Sequence, residues 1–206
     1  MINTSRFPAL AFRNFRLFIG GQTVSLIGSW MQSMVLPYLA YKISGEPFYL
    51  GLIGFSNTLP ALLFNLPAGV IIEKMDKRKV VITLQAVLMV SAFVLAALTF
   101  SGKITIWHII VLSFINGGVS SIEIIARQAM LLDLTDRESL PSAIAINATI
   151  FNLARVIGPM LAAPFLVFVK GNGEGWAFLV NGIRFLFVIA SLLFVRIAPR
   201  PDNPQS

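Results

Sequence analysis

The sequence predicts an all-α membrane protein with six transmembrane helices. Of the 206 residues, 56% are hydrophobic and only 12% are charged, whereas soluble domains are about 45–50% apolar and about 25% charged. The apolar residues fall into six segments, each at least as long as the about 20 residues that a helix needs to cross a bilayer. Lysine and arginine concentrate in alternate breaks between these segments, and this alternation is typical of membrane topology.

The six segments are separated by short polar breaks. They cover residues 17–41, 49–72, 80–100, 105–132, 139–169 and 176–195. We expect a cytoplasmic segment over residues 1–16, a six-helix bundle over 17–197 and a cytoplasmic tail over 198–206. The first segment is longer than a signal-peptide core and has no cleavage site of small residues, so it is predicted to be retained. The Gly-rich stretch 171–175 is predicted to be an external turn and not a phosphate-binding loop.

The distribution of cations predicts which side of the membrane each loop faces. One side carries eleven cations: Arg6, Arg13, Arg16, Lys74, Lys77, Arg78, Lys79, Arg127, Arg137, Arg196 and Arg200. The other side carries three, Lys42, Lys103 and Lys170, and the last two, Arg155 and Arg184, lie inside apolar segments. Because short cytoplasmic loops accumulate Lys and Arg, we expect both termini in the cytoplasm and the chain in the inner (plasma) membrane. The net charge of +7 forms no continuous basic face, so no nucleic-acid partner is predicted.

The composition argues against an enzyme. The chain has no cysteine, which excludes disulfides, thiolate metal sites and cysteine nucleophiles. Its one histidine, His108, follows Trp107 at the predicted membrane interface, where Trp176 also lies, so an aromatic belt is the preferred interpretation. Asp133 and Asp136 are interpreted as an exposed turn and helix cap instead of a metal site. No cofactor and no metal is predicted.

A charged turn after the second segment carries the first candidate functional residues. These are Gly69, Glu73, Lys74, Asp76, Lys77 and Arg78. On a helix, Gly69 and Glu73 share a face, so another helix could approach the glycine while its N-terminus met the carboxylate at the cytoplasmic rim. Such a contact would break when the cytoplasmic ends separate. A loop with no mechanical role is the alternative.

This turn resembles motif A of the major facilitator superfamily, whose usual form is Gly-x3-Asp-Arg-x-Gly-Arg-Arg/Lys between helices two and three. Glu73, Lys74 and Asp76 stand where Asp, Arg and Gly are usual. With Asp76 in place of the usual Gly, the turn resembles that of the exporter branch, which includes siderophore and drug efflux proteins. Residues 13–17 and 126–129 are similar to the entry to helix one and the exit from helix four in that branch.

A stretch of the fifth segment resembles the antiporter-type motif C of the same superfamily. It contains Asn152, Arg155, Gly158 and Pro159, and alanines replace three of the usual glycines. The resemblance therefore covers nearly the whole chain, with its motifs in order. It implies the N-terminal half of a transporter built from two six-helix halves, each with 3+3 inverted repeats, and a substrate site between the halves near mid-membrane.

The resemblance also implies the partners: the lipid bilayer, a small-molecule substrate, and a second six-helix half. We expect proton-coupled export of a siderophore-like or drug-like molecule. A truncated product, a separately encoded half and a homodimer all remain open, as do a self-sufficient six-helix intramembrane enzyme or channel and a non-transporting assembly factor.

Charged residues within the apolar segments are the candidates for the transport site. A charge at the bilayer centre costs about 2.5–3.5 kcal/mol, so such residues usually face a cavity or a partner. By helix rise, Arg155 and Arg184 lie near mid-depth and Glu123 somewhat closer to the cytoplasmic end. Our hypothesis is that Arg155, and less directly Arg184, bind an anionic substrate group or an acidic residue of the second half. Glu123 is a candidate for proton coupling, and the alternative is that it pairs with an arginine. Arg127 is a further candidate for the cavity or for coupling.

Uncharged polar residues and prolines in the segments predict a packed bundle. The polar residues are interpreted mainly as interhelical hydrogen-bond partners; they are Gln22, Ser25, Ser29, Gln32, Asn57, Asn65, Asn147 and Asn152. Prolines within segments one, two and five leave carbonyls that neighbouring helices or side chains must satisfy. These are Pro37, Pro60, Pro67, Pro159 and Pro164.

Overall fold

A computed structural model describes residues 7–169 and 171–194 of the chain. The predictions for Arg6, Lys170, Arg196, Arg200 and the tail 198–206 lie outside these residues. Within the described ranges the chain forms one short 3-10 turn and six α-helices and contains no strand. The all-α class is thereby confirmed.

The helices follow the predicted segments closely. After the 3-10 turn Pro8–Ala11 come α1 (Arg13–Ser44), α2 (Phe48–Glu73), α3 (Lys77–Phe100), α4 (Ile106–Leu134), α5 (Leu140–Phe168) and α6 (Gly173–Phe194). All five internal prolines lie within helices that continue past them.

Helix α6 begins within the predicted Gly-rich turn, so the predicted extent of that turn was wrong. Among the glycines of residues 171–175, only Gly171, with φ of 95°, has a backbone conformation that favours glycine. A Cβ on Gly173 would lie 1.9 Å from the carbonyl oxygen of Phe165, and one on Gly175 would lie 3.0 Å from the ring of Phe100. These glycines therefore let the start of α6 pack closely against α5 and α3.

Five of the six described helices, α2 to α6, are long and apolar enough to cross a membrane. Helix α1 has sufficient length but is less apolar because it carries Gln22, Ser25, Ser29 and Gln32. All four of these side chains are involved in hydrogen bonds to other helices. The crossing of the membrane by α1, and with it the total of six crossings, therefore remains a prediction. The lower apolar character of α1 is explained by polar side chains that form hydrogen bonds inside the bundle.

The helices pack mainly against partners that are distant in sequence. Helix α2 packs on α4, α1 on both α5 and α6, and α3 on both α4 and α6, whereas α2 and α3 barely touch. Glycines allow the closest approaches. A Cβ on Gly117 would lie 1.9 Å from the Asn57 carbonyl oxygen of α2, and one on Gly158 would lie 2.5 Å from Trp30 Cβ of α1.

The buried apolar residues form two large clusters, and a polar layer and a smaller apolar cluster lie between them. The cluster nearer the start of α1 includes Phe15, Phe18 and Met130. The cluster nearer its end includes Leu95 and Phe178. Between these clusters lie buried polar residues from α1, α3, α4 and α6. The protein thus places its polar side chains at mid-depth inside the bundle.

Polar contacts connect the helices at both ends of the bundle. At one end, which we call the basic end, Lys77 Nζ lies 2.6 Å from Asp133 Oδ2. There Arg78 also donates to the carbonyl oxygens of Leu192 and Leu193, at 2.8 and 2.7 Å. At the opposite end Lys42 Nζ lies 2.8 Å from Glu174 Oε1. The start of α3 therefore lies beside the ends of α4 and α6, and the end of α1 lies beside the start of α6.

Side chains near three helix starts satisfy backbone groups. Asp76 accepts a hydrogen bond from Lys79 N at the start of α3. His108 Nδ1 accepts one from Thr105 N, 3.2 Å away, in a capping box at the start of α4. Asp136 Oδ1 accepts one from Ser139 N at 2.7 Å, just before α5. The interpretations of His108 and Asp136 as structural residues agree with these contacts.

We predict that Gly117→Ala destabilises the bundle, because the added methyl group meets the α2 backbone and must push the helices apart. Overpacking of this kind costs about 1–3 kcal/mol. The matched control is Gly54→Ala, because nothing lies within 4 Å of a Cβ at that exposed helical position. Alanine there should be neutral or stabilising by up to about 1 kcal/mol. Thermal unfolding in detergent measures both, and equal stability of the two variants would contradict the packing.

We predict that Asp136 contributes a stability that depends on pH. Hydrogen bonds from the Ser139 side chain and backbone lower the pKa of Asp136 from its usual 3.8. A lowered pKa means that the ionised form stabilises the fold, so its contribution is full above pH 3.8 and is lost as the pH falls below that value. The difference in Tm between wild type and Asp136→Ala should shrink over that range. Asp136→Asn, which cannot titrate, is the control.

Candidate functional site

A cavity of about 710 Å³ lies in the polar layer of the bundle. All six helices contribute to its lining, and its charged residues are Glu123, Arg127 and Arg184. Exposed lining residues of α1, α4 and α5, among them Ser33 and Gln128, connect it to the surface. Its size is within the range of small-molecule sites.

Glu123 and Arg127 form the first of two polar networks in the cavity. They are one helical turn apart on α4, and Arg127 Nε donates to Glu123 Oε1. Gln85 of α3 donates to the same oxygen at 2.6 Å. Arg127 Nη2 lies 3.3 Å from Ser25 Oγ. Within the described part of the chain, Arg127 Nη1 is buried without a hydrogen-bond partner.

Arg184 of α6 is the centre of the second network. Its guanidinium donates to Asn181 Oδ1, to the carbonyl oxygen of Ser25, and to Ser29 Oγ at 3.2 Å. A Cβ on Gly28 would lie 1.9 Å from Arg184 Nε, so glycine on α1 makes room for the guanidinium. The chain therefore holds Arg184 mainly with neutral oxygen atoms.

The two networks leave the cavity with an excess of positive charge. Arg127 and Arg184 contribute two cations and Glu123 one anion, and no other ionisable side chain is among its described lining residues. By helix rise, Glu123 and Arg184 lie about 16 Å from the basic end. An unbalanced charge at this depth favours an anionic ligand.

Neutral side chains in the lining also join helices. Gln22 Nε2 of α1 donates to Asn147 Oδ1 of α5 at 2.5 Å, as the interpretation of these residues predicted. Asn57 of α2 donates to the carbonyl oxygen of Ser113 on α4 at 3.2 Å. Asn152 differs, because it donates to Ala148 of its own helix. Asn65 is exposed.

Arg155 lies beside the cavity and is not among the residues of its lining, so its role in the transport site stays a prediction. Its guanidinium lies over the ring of Trp30, 5.5 Å from the centroid, and the residue is exposed. On the same helix, Gly158 packs on α1 and Pro159 lies within the helix.

Arg127 differs from its predicted position among the loop cations. It is only 5% exposed and lies in the interior. Arg127 therefore does not belong to the group of loop cations predicted on the cytoplasmic side. The cavity contains this arginine in place of Arg155, and Glu123 pairs with it, as the alternative interpretation of Glu123 predicted.

The structure divides the motif A-like turn into two parts. Asp76, Lys77 and Arg78 make contacts within the bundle through the cap and the basic-end bonds. Glu73 and Lys74 are exposed, and nothing lies within 4 Å of a Cβ on Gly69. In the described part of the chain, no helix approaches the Gly69 face.

Comparison with known proteins identifies the family. A family profile described as "transmembrane secretion effector", of the major facilitator superfamily, matches residues 4–205. The chain belongs to this family. Its resemblance to the siderophore and drug efflux branch of the superfamily is confirmed by this match together with siderophore and drug efflux relatives.

Three relatives of the chain show the range of the branch. The staphyloferrin A transporter of Staphylococcus aureus is 32% identical over 73% of this chain and 38% of its own length. The multidrug efflux pump Tap of Mycolicibacterium fortuitum is 24% identical over 98% of the chain and 49% of its own length. Macrolide efflux protein A of Streptococcus pyogenes is 22% identical over 69% and 35%. The chain thus spans at most about half the length of these relatives.

The family and these relatives are transporters and not enzymes, in agreement with the prediction from composition. The apolar helices and the family together make the chain a multi-pass membrane protein. Among the described residues, no group of three or more His, Cys, Asp or Glu side chains could hold a metal ion.

Two residues of the networks, Gln85 and Asn181, were not predicted from the sequence. Each is nearly or fully buried and connects its helix to another. Gln85 could have been recognised because it is the only amide side chain in the apolar run 80–98. A buried polar group in such a run needs a hydrogen-bond partner in another helix.

We predict that Glu123→Leu destabilises the bundle by about 3–5 kcal/mol, because it leaves the Arg127 charge buried without its anion. The double variant Glu123→Leu/Arg127→Leu should recover most of that loss. Thermal unfolding in detergent gives both values. If the double variant loses as much stability as the Glu123→Leu and Arg127→Leu variants together, the pair has no coupling energy.

Proposed function

We propose that the chain is one six-helix half of a major facilitator exporter and that its cavity is this half's share of the substrate site. In this proposal it crosses a bacterial inner (plasma) membrane six times, with both termini in the cytoplasm, and exports a small molecule. The observation that carries the proposal is the polar cavity at mid-depth, open on one face of the bundle and containing three charged side chains.

The pattern of helix packing supports a 3+3 repeat. Exchanging α1, α2 and α3 with α4, α5 and α6 converts the α2–α4 contact into α5–α1 and the α3–α4 contact into α6–α1, while α3–α6 is unchanged. All five major helix contacts are thus preserved by the exchange. Two similar three-helix units packed on one another have this property.

The position of α1 supports its assignment as the sixth crossing. Its 32 residues span roughly 48 Å, which exceeds the about 30 Å hydrocarbon thickness. It packs between α5 and α6 with its polar side chains directed mainly into the cavity. Exposed positions such as Val24 and Tyr38 are apolar or aromatic.

Two surface features support a second six-helix half. The Gly69 face is open to the approach of another helix, and Glu73 is free to meet that helix's N-terminus. Arg155 is exposed at mid-depth, where contact with lipid would cost about 2.5–3.5 kcal/mol. A second half that covers α5 and the cavity mouth removes this cost. The greater length of the relatives agrees with such a half.

The direction of transport is inferred from the relatives, two of which are named as efflux proteins. In this proposal Glu123 is the residue that couples export to protons. It is the only described carboxylate in the cavity, and its partner Arg127 is in position to be released when Glu123 is protonated.

We predict that Glu73→Gln leaves the fold of this chain intact but lowers export by the complete transporter at least tenfold, because the contact with the second half loses its charge. Glu73→Asp, which restores the usual residue of the motif, is the matched control and should retain export. Efflux is measured from cells that express this chain together with its second half, using a panel that includes staphyloferrin A and a macrolide.

The assembled mass of the purified transporter provides a second readout. We expect this bundle together with a second six-helix unit, either another protein segment or a second copy. A monomer of six helices that exports a member of the panel by itself would overturn the need for a second half. Failure of the complete transporter to export any member above the background of cells without it would overturn the proposal for this panel's chemistry.

A further inference from the structure

We propose that the cavity binds a carboxylate or similar oxyanion at Arg127 and Arg184, and that Glu123 is an internal anion that holds Arg127 while the site is empty. This inference rests on the proposed function, because it assigns the chemical class of the exported molecule. It goes beyond that function in predicting that a bound anion replaces Glu123 as the partner of Arg127.

The first argument is the unused hydrogen-bonding capacity of Arg127. Its Nε donates to Glu123 and its Nη2 contacts Ser25, whereas Nη1 is buried beside the cavity without a partner. A planar guanidinium binds a carboxylate best through two parallel hydrogen bonds. Glu123 uses only Nε, so Arg127 can form a better contact with an incoming carboxylate.

The second argument is that the chain supplies too little negative charge. Arg184 is held by neutral acceptors on α1 and α6, and the single described carboxylate of the lining contacts Arg127. One full positive charge therefore remains in a poorly hydrated region at mid-depth. Buried cations are normally paired, and a bound anion would supply the missing charge.

The third argument is the shape of the remaining surface. Phe18, Trp30, Phe151 and Phe185 line the cavity together with the two arginines. The guanidinium of Arg127 lies 6.0 Å from the centroid of the Phe18 ring, and that of Arg184 lies 4.2 Å from the centroid of the Phe185 ring. The lining of the cavity thus combines two cationic side chains with four aromatic rings. An anion that carries an aromatic or other apolar body fits both.

Exchange of the two anions balances the charge of the cavity. When the incoming anion takes Arg127, Glu123 keeps the hydrogen bond from Gln85, at 2.6 Å. No other acid, histidine or lysine lines the described cavity. The two arginines then face two anions, the ligand and Glu123, so the cavity with its ligand carries no net charge.

The experiment measures binding of 2-naphthoate to the purified full chain in detergent by isothermal titration calorimetry. The uncharged isostere 2-naphthamide is the matched ligand. The titrations use Tris chloride, because this buffer contains no oxyanion that could compete for the site. We expect 2-naphthoate to bind at least tenfold more tightly than 2-naphthamide.

Variants separate the proposed roles. Glu123→Gln should bind 2-naphthoate at least tenfold more tightly, because Arg127 no longer has an internal anion. Arg127→Gln and Arg184→Gln should each weaken binding at least tenfold. Arg137→Gln is the control, since it removes one exposed cation at the basic end and should leave the affinity unchanged. If Arg127→Gln does not fold, Glu123→Gln/Arg127→Gln removes both charges and should also bind weakly.

Several results would overturn the inference. These are no binding of 2-naphthoate by the folded chain, equal affinity for the amide, or weaker binding by Glu123→Gln. The test is independent of transport. If the chain shows the expected binding pattern but the complete transporter exports nothing, the anion site stands and the proposed function is wrong. If the complete transporter exports but the chain shows no preference for the anion, the proposed function stands and the anion site is wrong.

Discussion

The constraint on which the structure depends is that charged side chains at mid-membrane must be enclosed and partnered. The bundle meets it with a polar layer between two apolar clusters. Arg127, Arg184 and Glu123 lie in this layer, and amides and hydroxyls of other helices bind them. Enclosure inside protein removes most of the cost of exposing such groups to lipid. The same layer provides the surface that the proposed transport site uses.

Close helix packing makes this enclosure possible. In a bilayer, helices gain little from burying apolar surface against one another, so close contact and hydrogen bonds must hold them together. Gly117 and Gly158 bring α4 onto α2 and α5 onto α1. Gly28 has another function, since the space where its side chain would be contains the guanidinium of Arg184. The positions of small residues therefore determine both the packing and the geometry of the site.

Much of the fold could be predicted from the sequence, because hydropathy reports how long each helix is and cation placement reports which ends lie together. The helix class, the six segments and the presence of Glu123, Arg127 and Arg184 as interior candidates followed from these signals. The family resemblance was also readable from a few motifs. Helix pairing was beyond such reasoning, since α1 packs with α5 and α6 through contacts more than 100 residues apart.

The position of a charge around its helix was the main thing that sequence could not provide. Arg155 and Arg184 have similar depths, yet only Arg184 faces the cavity, while Arg155 lies over Trp30 outside it. Depth follows from counting residues, but orientation depends on which neighbour each helix face meets. Gln85 was missed for the same reason, because a lone amide becomes informative only when its partners on α1 and α4 are known.

The limited apolar character of α1 has a consequence for biosynthesis. Among the described helices, α1 leaves the ribosome first and α6 last, and the partners of Ser29 and Gln32 are Arg184 and Asn181 of α6. Until α6 has entered the translocon, the polar face of α1 has no hydrogen-bond partners there, and the helix is the least favourable of the six to release into lipid. Its retention beside the insertion machinery until α6 arrives would couple the synthesis of α6 to formation of the interior site.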